Sequence, residues 1–304
     1  MNRHLIQALA RRKRLSMGFR DILILALKLF RSVQFLNDNL ILGGVGNPVN
    51  GNTSLVRSAF RPSDDATILQ FLIPSNAFMS VELDHLSTIL RDLQSYTSVS
   101  ADTISFLAKK AKAMSEAIAT GIKEHAIFNH PLFKQVYAYE VDGYGGRIFM
   151  DDANLPSLLS LPLLGFVARN DPIYLSTREM VLSNLGNPYF LKGRQFKGIG
   201  GPHIGIRHAW PMSLLVQIMT SDNDEEILKL LELLKMAAGD LGLMHESGSS
   251  FFRCQLTLVN VKRVADYTRP WFAWANGLFG EMILDLMARK PELILEKEYK
   301  HSRD

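Results

Sequence analysis

The sequence predicts an all-α fold carrying one small β-hairpin, and three observations point that way. Apolar residues recur at intervals of three and four, caps and prolines stand where such stretches begin, and glycine- and proline-rich connections separate them. With 304 residues, 47% of them apolar and 17 of them Phe, the chain has material for one large domain or two small ones with a sizeable core.

In chain order, helices are expected at 75–95 and at 101–128. In the second, Ile104, Leu107, Ala111, Met114, Ile118 and Ile122 form an amphipathic stripe. Val136, Ala138 and Glu140 face the run 147–150 across Asp142-Gly143-Tyr144-Gly145-Gly146, which reads as a β-hairpin or an extended loop. A helix is expected over 155–166. Asp171-Pro172 opens the next with Pro in its first turn, and Gly186 closes it. After a helix at 210–220, Ser221 or Asp222 caps one that runs to about 239. There Glu225 and Glu226 sit at the positive end of the dipole, and Ile227, Leu230, Leu231 and Leu234 form the buried stripe. The last helix, 270–289, includes Glu281, read as structural. Periodicity alone fits an α-solenoid equally well, but no self-similarity at a fixed period supports one.

Charge narrows the partners. The formal net charge is only +4. The basic excess lies at the start, where Arg3, His4, Arg11, Arg12, Lys13, Arg14, Arg20, Lys28 and Arg31 face the single acid Asp21. Beyond it the balance is near neutral, so the body of the chain gives no reason to expect nucleic acid as a partner. The apolar run 22–30, interrupted by Lys28, is about half of what a bilayer span needs, so no transmembrane span is expected. No small-residue cleavage site follows it, and it reads as an ordinary helix or a basic extension. The single cysteine, Cys254, excludes an intrachain disulfide and leaves the compartment open.

Three acidic segments stand among aromatic, Arg and Pro residues instead of on solvated helix faces. They are Arg61-Pro62-Ser63-Asp64-Asp65-Ala66, Met150-Asp151-Asp152-Ala153-Asn154-Leu155-Pro156 and Met244-His245-Glu246-Ser247. Two further motifs are Gly200-Gly201-Pro202-His203 and Tyr267-Thr268-Arg269-Pro270-Trp271-Phe272-Ala273-Trp274-Ala275-Asn276. On local chemistry alone, Ser63 or Asp64 reads as the cap of a helix from Ala66, Arg61 as the ion-pair partner of the neighbouring acids, Asn154 as an N-cap and Gly200-Gly201 as a tight turn. His245-Glu246 is not followed by the second histidine of a zinc helix, so no metal is implied.

In order and wording, these five motifs resemble glycoside hydrolase family 125, whose members are inverting exo-α-1,6-mannosidases on an (α/α)6 toroid. The resemblance covers roughly 46–290. It implies an enzyme that acts on a mannose-containing oligosaccharide or N-glycan and needs no cofactor. Inversion requires two carboxyls about 6.5–9.5 Å apart, one protonating the leaving oxygen and one activating water. The resemblance places the acid at Asp64-Asp65, with Asp65 preferred and Asp64 orienting it or binding a sugar hydroxyl, and the base at Glu246. It makes Arg61, Asp151, Asp152, Asn154, His203, His245, Arg269, Trp271 and Trp274 the sugar-binding set: carboxylates for vicinal hydroxyls, aromatic faces for C–H surfaces. Tyr144 and Trp210 rank lower on the same reasoning.

The expected organisation is an atypical basic segment over 1–45, a partial catalytic domain over 46–290 and a charged tail over 291–304. An insertion is expected over 248–265, including Gln255-Leu256-Thr257-Leu258-Val259. Only about eight helices are read where six hairpins need twelve. An incomplete toroid is therefore expected, and with it an alternative function: a non-catalytic remnant that binds carbohydrate or another protein.

Overall fold

The computed structural model describes residues 42, 45–93, 99–193, 196–203, 208–238, 244, 248–249 and 271–295. The chain divides into a unit over 1–46, almost all of it outside the described residues, and a unit over 47–304 that carries everything below.

Helix α1 (Ile73–Leu93) and helix α2 (Ala101–His125) form an antiparallel hairpin. Ser80 Oγ donates to the Ser115 carbonyl at 2.9 Å and Lys112 Nζ to Asp84 Oδ1 at 2.8 Å, so residue numbers rise along one helix as they fall along the other. Ser100 caps α2 by accepting from the Thr103 amide. The buried seam of α2 is Ile104, Ala108, Ala111, Ser115, Ile118 and Ile122. Leu107 is half-buried and Met114 exposed, so the expected stripe shifts toward small residues that let the two helices approach closely.

Strands β2 (Ile127–His130) and β3 (Lys134–Tyr137) form an antiparallel hairpin, with Ile127 opposite Tyr137. A second sheet has the order β1-β4-β5, with β4 (Glu140–Val141) between β1 (Phe71–Leu72) and β5 (Arg147–Ile148). The β4-β5 connection is the expected hairpin turn. Asp142 Oδ1 accepts from the amides of Tyr144 and Gly146, and Gly143 and Gly145 take positive φ of 78° and 104°.

Helix α3 (Pro172–Val181) is capped by Asp171, whose side chain accepts from the Tyr174 amide; it ends at Val181, short of Gly186. Strands β6 (Phe190–Lys192) and β7 (Lys197–Ile199) pair, as do β8 (His208–Ala209) and β9 (Gly248–Ser249). Helix α4 (Pro211–Met219) is buried along its whole length. Helix α5 (Asp224–Ala238) is capped by Asn223, whose Oδ1 accepts from the Glu226 amide at 3.0 Å; Ser221 instead accepts from the Asn223 amide, one step earlier than expected of a cap. Helix α6 (Ala273–Arg289) sends Arg289 to the Ile218 and Ser221 carbonyls, placing a cation at the carboxyl end of α4.

The structure thus departs from an all-α reading in two places. Nine short strands in four small sheets appear among the described residues where one hairpin was expected. The expected helix over 155–166 is a series of turns. Of the regions expected to be peripheral, 249 marks the last described residue of the insertion before 271, and 295 the last of the tail. No helix among the described residues is long and apolar enough to cross a membrane.

Candidate active site

The Asp64-Asp65 loop is built by its own backbone. Phe60 and Ala66 form an antiparallel bridge, the Arg61 amide donates to the Asp65 carbonyl at 2.8 Å, and the Asp64 amide donates back to the Arg61 carbonyl at 3.0 Å. This closed loop replaces the helix expected to start at Ala66. Asp64 sits at its tip, exposed, with a positive φ of 68°. Asp65 turns the other way: its Oδ2 accepts from Ser63 Oγ at 2.9 Å and its Oδ1 lies 3.3 Å from His203 Nδ1, with a quarter of the side chain (25%) exposed.

Beneath that loop lies a buried ion pair. Arg61 Nε donates to Glu140 Oε1 at 2.6 Å, and both side chains are nearly inaccessible, at 4% and 0%. Arg61 was expected to pair with its neighbours Asp64 and Asp65; its partner is Glu140, which the sequence reading had placed only in a hairpin strand. Burial disfavours the Arg61 charge, but the Glu140 hydrogen bond and charge outweigh it and raise the guanidinium pKa above its ordinary value. The guanidinium also stands 5.5 Å from the centre of the Tyr139 ring.

Asp151 and Asp152, adjacent in sequence, do different work. Asp151 is fully buried, and its two oxygens accept from the amides of Leu158 (2.8 Å) and Leu159 (2.9 Å). It organises the turns that follow. Asp152 Oδ1 accepts from both the backbone amide (2.9 Å) and Nδ2 (2.7 Å) of Asn154. Asn154, itself 1% exposed and at no helix start, therefore orients Asp152 rather than capping a helix. Asp152 Oδ2 is buried with no hydrogen-bond partner among the described residues, as are Arg61 Nη2, Tyr139 Oη and Trp210 Nε1. Desolvation raises the Asp152 pKa, its bonds to Asn154 and the charge of Arg61 pull the other way, and Asp65 adds to the rise. Tyr139 is pushed well above its ordinary pKa by burial first and by Asp152 and Asp151 next.

The Gly200-Gly201 step closes the wall. The Ala153 amide donates to the Gly200 carbonyl at 3.0 Å, and a Cβ on Gly201 would stand 2.9 Å from Asp152 Oδ2. Glycine is needed here for close approach. Gly201→Ala is expected to push the Asp152 carboxylate out of place and to destabilise the fold by about 1–3 kcal/mol through overpacking. Denaturant unfolding beside the wild type checks this, and unchanged stability would show that the carboxylate gives way without cost.

An aromatic series continues from His203. Ring centres are 6.4 Å apart for His203–Trp210, 6.1 Å for Trp210–Phe272 and 6.3 Å for Phe272–Trp274. Trp274 is 38% and Trp271 53% exposed, while Trp210 is buried. Asn276 Nδ2 donates to the Met244 carbonyl at 2.9 Å and its Oδ1 accepts from the Met244 amide at 3.1 Å, fastening Met244 to the first turn of α6. Gly248 pairs with Ala209, the neighbour of Trp210. His245, Glu246 and Arg269 lie outside the described residues. Among the described residues, no group of three or more His, Cys, Asp or Glu side chains is arranged to hold a metal ion.

The model of the metal-independent alpha-mannosidase family (GH125) matches residues 26–284. The chain belongs to glycoside hydrolase family 125. Within the family's reach, the meiotically up-regulated gene 157 protein of Schizosaccharomyces pombe is 55% identical over 257 residues, which is 84% of this chain and 47% of that protein. A solved Streptococcus pneumoniae structure of a metal-independent alpha mannosidase, a non-productive substrate complex with alpha-1,6-mannobiose, aligns with a TM-score of 0.72 at 34% identity. That match covers 84% of this chain and 55% of that one. The chain therefore spans about half the length of these relatives. Family 125 membership accounts for the helix-rich architecture and for the order of the five motifs.

Asp151 also yields a pH prediction for this family 125 chain. Burial raises its pKa from 3.8 to about 7, against the opposing hydrogen bonds of Leu159 and Leu158. The folded state then holds the proton more tightly than the unfolded one, so the contribution of Asp151 to stability is greatest below about pH 4 and declines as pH rises toward 7. The gap in unfolding free energy between the wild type and Asp151→Asn should shrink by roughly 1–3 kcal/mol over that window. Urea titrations at several pH values measure it, and a gap that widens with pH would contradict the assignment.

Proposed function

We propose that this chain supplies the catalytic machinery of an inverting, exo-acting α-mannosidase that removes terminal α-1,6-linked mannose from an oligosaccharide or N-glycan, on a six-hairpin (α/α)6 toroid. The observation that carries the proposal is the position of Asp65. Its carboxylate lies 3.3 Å from His203 Nδ1 and close enough to the buried Asp152 to raise that residue's pKa, in a chain whose family name is that of alpha-mannosidases and whose structural relative was solved with alpha-1,6-mannobiose.

Asp65 is the proton donor. Its exposure leaves it open to the glycosidic oxygen, and Ser63 and His203 fix both of its oxygens. Glu246 is the base that deprotonates water on the opposite sugar face. The reading is supported by its chain neighbours, since Met244 is tied to α6 beside Phe272, and Gly248 to β8 beside Trp210. Arg61 Nη2 donates to, and Asp152 Oδ2 accepts from, hydroxyls of the terminal mannose. Trp271 and Trp274 offer flat faces to the sugar beyond it. His203, His245 and Arg269 complete the polar lining. No metal or other cofactor enters the reaction.

Incubation with α-1,2-, α-1,3- and α-1,6-linked mannobioses in the presence of EDTA tests substrate and metal independence together. Mannose released from the α-1,6 isomer alone is the expected result. Failure on all three by folded protein would instead favour the non-catalytic, carbohydrate-binding alternative.

A further inference from the structure

Glu140 has no place in the chemistry just described. It is fully buried, and it sits on the central strand of the three-stranded sheet, paired through its backbone with Leu72 on β1 and Ile148 on β5. Both carboxylate oxygens leave that strand to hold one loop. Oε1 accepts from Arg61 Nε at 2.6 Å; Oε2 accepts from the amides of Ile68 and Leu69, each at 2.9 Å. The loop clamped at these two ends, 61–69, carries Asp65 near its middle. Other ties hold its interior: the Phe60–Ala66 bridge, the short turn at Arg61, the Ser63 and His203 contacts of Asp65, the Thr67 amide, which donates to the Ala59 carbonyl at 3.1 Å, the Thr67 hydroxyl, which donates to the Ser58 carbonyl at 2.7 Å, and Asn47 Nδ2, which donates to the Ile68 carbonyl at 2.6 Å. Among the described residues, only Glu140 grips both ends at once.

A carboxylate buried this completely is costly unless charge and hydrogen bonds compensate it, and here all three compensating donors belong to the loop that presents the proton donor. The sheet is thereby coupled to the loop through one side chain. Asp152 stands on the same frame: it follows β5, whose Ile148 pairs with Glu140, so the loop and the Asp152 wall share a common base.

We infer that Glu140 is the positioning residue of the acid loop, fixing Asp65 at the distance and angle required to protonate the leaving oxygen. This rests on the reading of Asp65 as the proton donor. Glu140 touches no substrate; it acts through Arg61, Ile68 and Leu69. Glu140→Gln retains an oxygen for Arg61 but turns an amide NH₂ toward two backbone donors, which releases the far end of the loop. Glu140→Asp keeps the charge beside Arg61 but is one methylene too short to serve both ends.

The readout is the dependence on leaving group. The sugar that departs from α-1,6-mannobiose is a poor alkoxide leaving group that needs a proton in the transition state, whereas 2,4-dinitrophenyl α-mannoside releases a stable phenolate that does not. With both substrates measured on the same preparation, the rate ratio is independent of the folded fraction. Glu140→Gln is expected to lower kcat on mannobiose about 10- to 100-fold, with the dinitrophenyl substrate changed by less than about threefold. Glu140→Asp should shift the ratio in the same direction by a smaller factor, and it keeps the ion pair should the amide variant fail to fold. Equal losses on the two substrates in the variants would overturn the inference and leave Glu140 a purely structural anchor. Asp65→Asn run alongside separates the two levels: a selective loss there with none in the Glu140 variants overturns only the positioning role, while no selective loss in Asp65→Asn overturns the donor assignment itself.

Discussion

Asp65→Asn is expected to reduce kcat on α-1,6-mannobiose by about 10³-fold, the middle of the range for a single general acid, with little change in KM. The alkoxide leaving group cannot depart unprotonated at a useful rate, and the amide that replaces the carboxyl has no proton of suitable acidity. The protein should remain folded, because Asp65 is partly exposed and its contacts are one hydroxyl and one imidazole. Asp64→Asn, at the exposed tip of the same loop, should cost far less. If the two exchange effects, the donor is Asp64 and the loop is oriented differently on substrate. Glu246→Gln is expected to match the Asp65 loss through the water-activating step, but without relief by a better leaving group.

The largest effect on stability is expected from Arg61→Met. The substitution removes the cation from a pair in which Glu140 is wholly inaccessible. Breaking a buried pair from one side leaves an uncompensated charge and costs about 3–5 kcal/mol. Glu140 would retain only the Ile68 and Leu69 amides. Adding Glu140→Leu should recover most of that loss, because an apolar pair of similar volume carries no desolvation penalty. Recovery of stability should not bring back activity, since Arg61 Nη2 is also proposed to meet the sugar. Denaturant unfolding of the two single variants and the double variant measures the coupling. Additive losses would show that the pair is not energetically linked in the way its geometry implies.

How much of this could be read from the residues alone differs from element to element. The long helices were legible because their signals are local: the apolar stripe over 101–128 does mark α2, Asp171 does cap α3, and Pro172 does stand in its first turn. The stretch over 155–166 was not. Its leucines have helical spacing, yet Asp151, from outside the stretch, takes up the Leu158 and Leu159 amides and stabilises turns in place of a helix. Tertiary contacts of this kind leave no periodic trace. The short strands escaped for the same reason, since two- and three-residue pairings such as β8 with β9 depend on segments far apart in sequence.

The site shows the same division. The acidic motifs drew Asp65, Asp152 and His203 into one set, and Asp65 does lie beside His203, but they gave no sign that Asp151 and Asn154 hold the local structure. Glu140 was missed as a participant. The signal was available: one carboxylate interrupts an otherwise apolar and aromatic run over 136–141, and a charge in such a run requires a buried partner. Arg61, an arginine with two acids beside it, drew attention to the wrong ones. Trp210 was ranked low because aromatic residues are more often core than binding platform, although its ring stands between those of His203 and Phe272.

The central claim is a single displacement by two carboxyl groups, and the configuration of the first-released sugar tests it most directly. Proton NMR of α-1,6-mannobiose, recorded before mutarotation, should show β-mannose appearing first with the wild-type protein and no release on the same timescale with Asp65→Asn. Initial α-mannose would mean a double displacement through a covalent intermediate and would contradict the account.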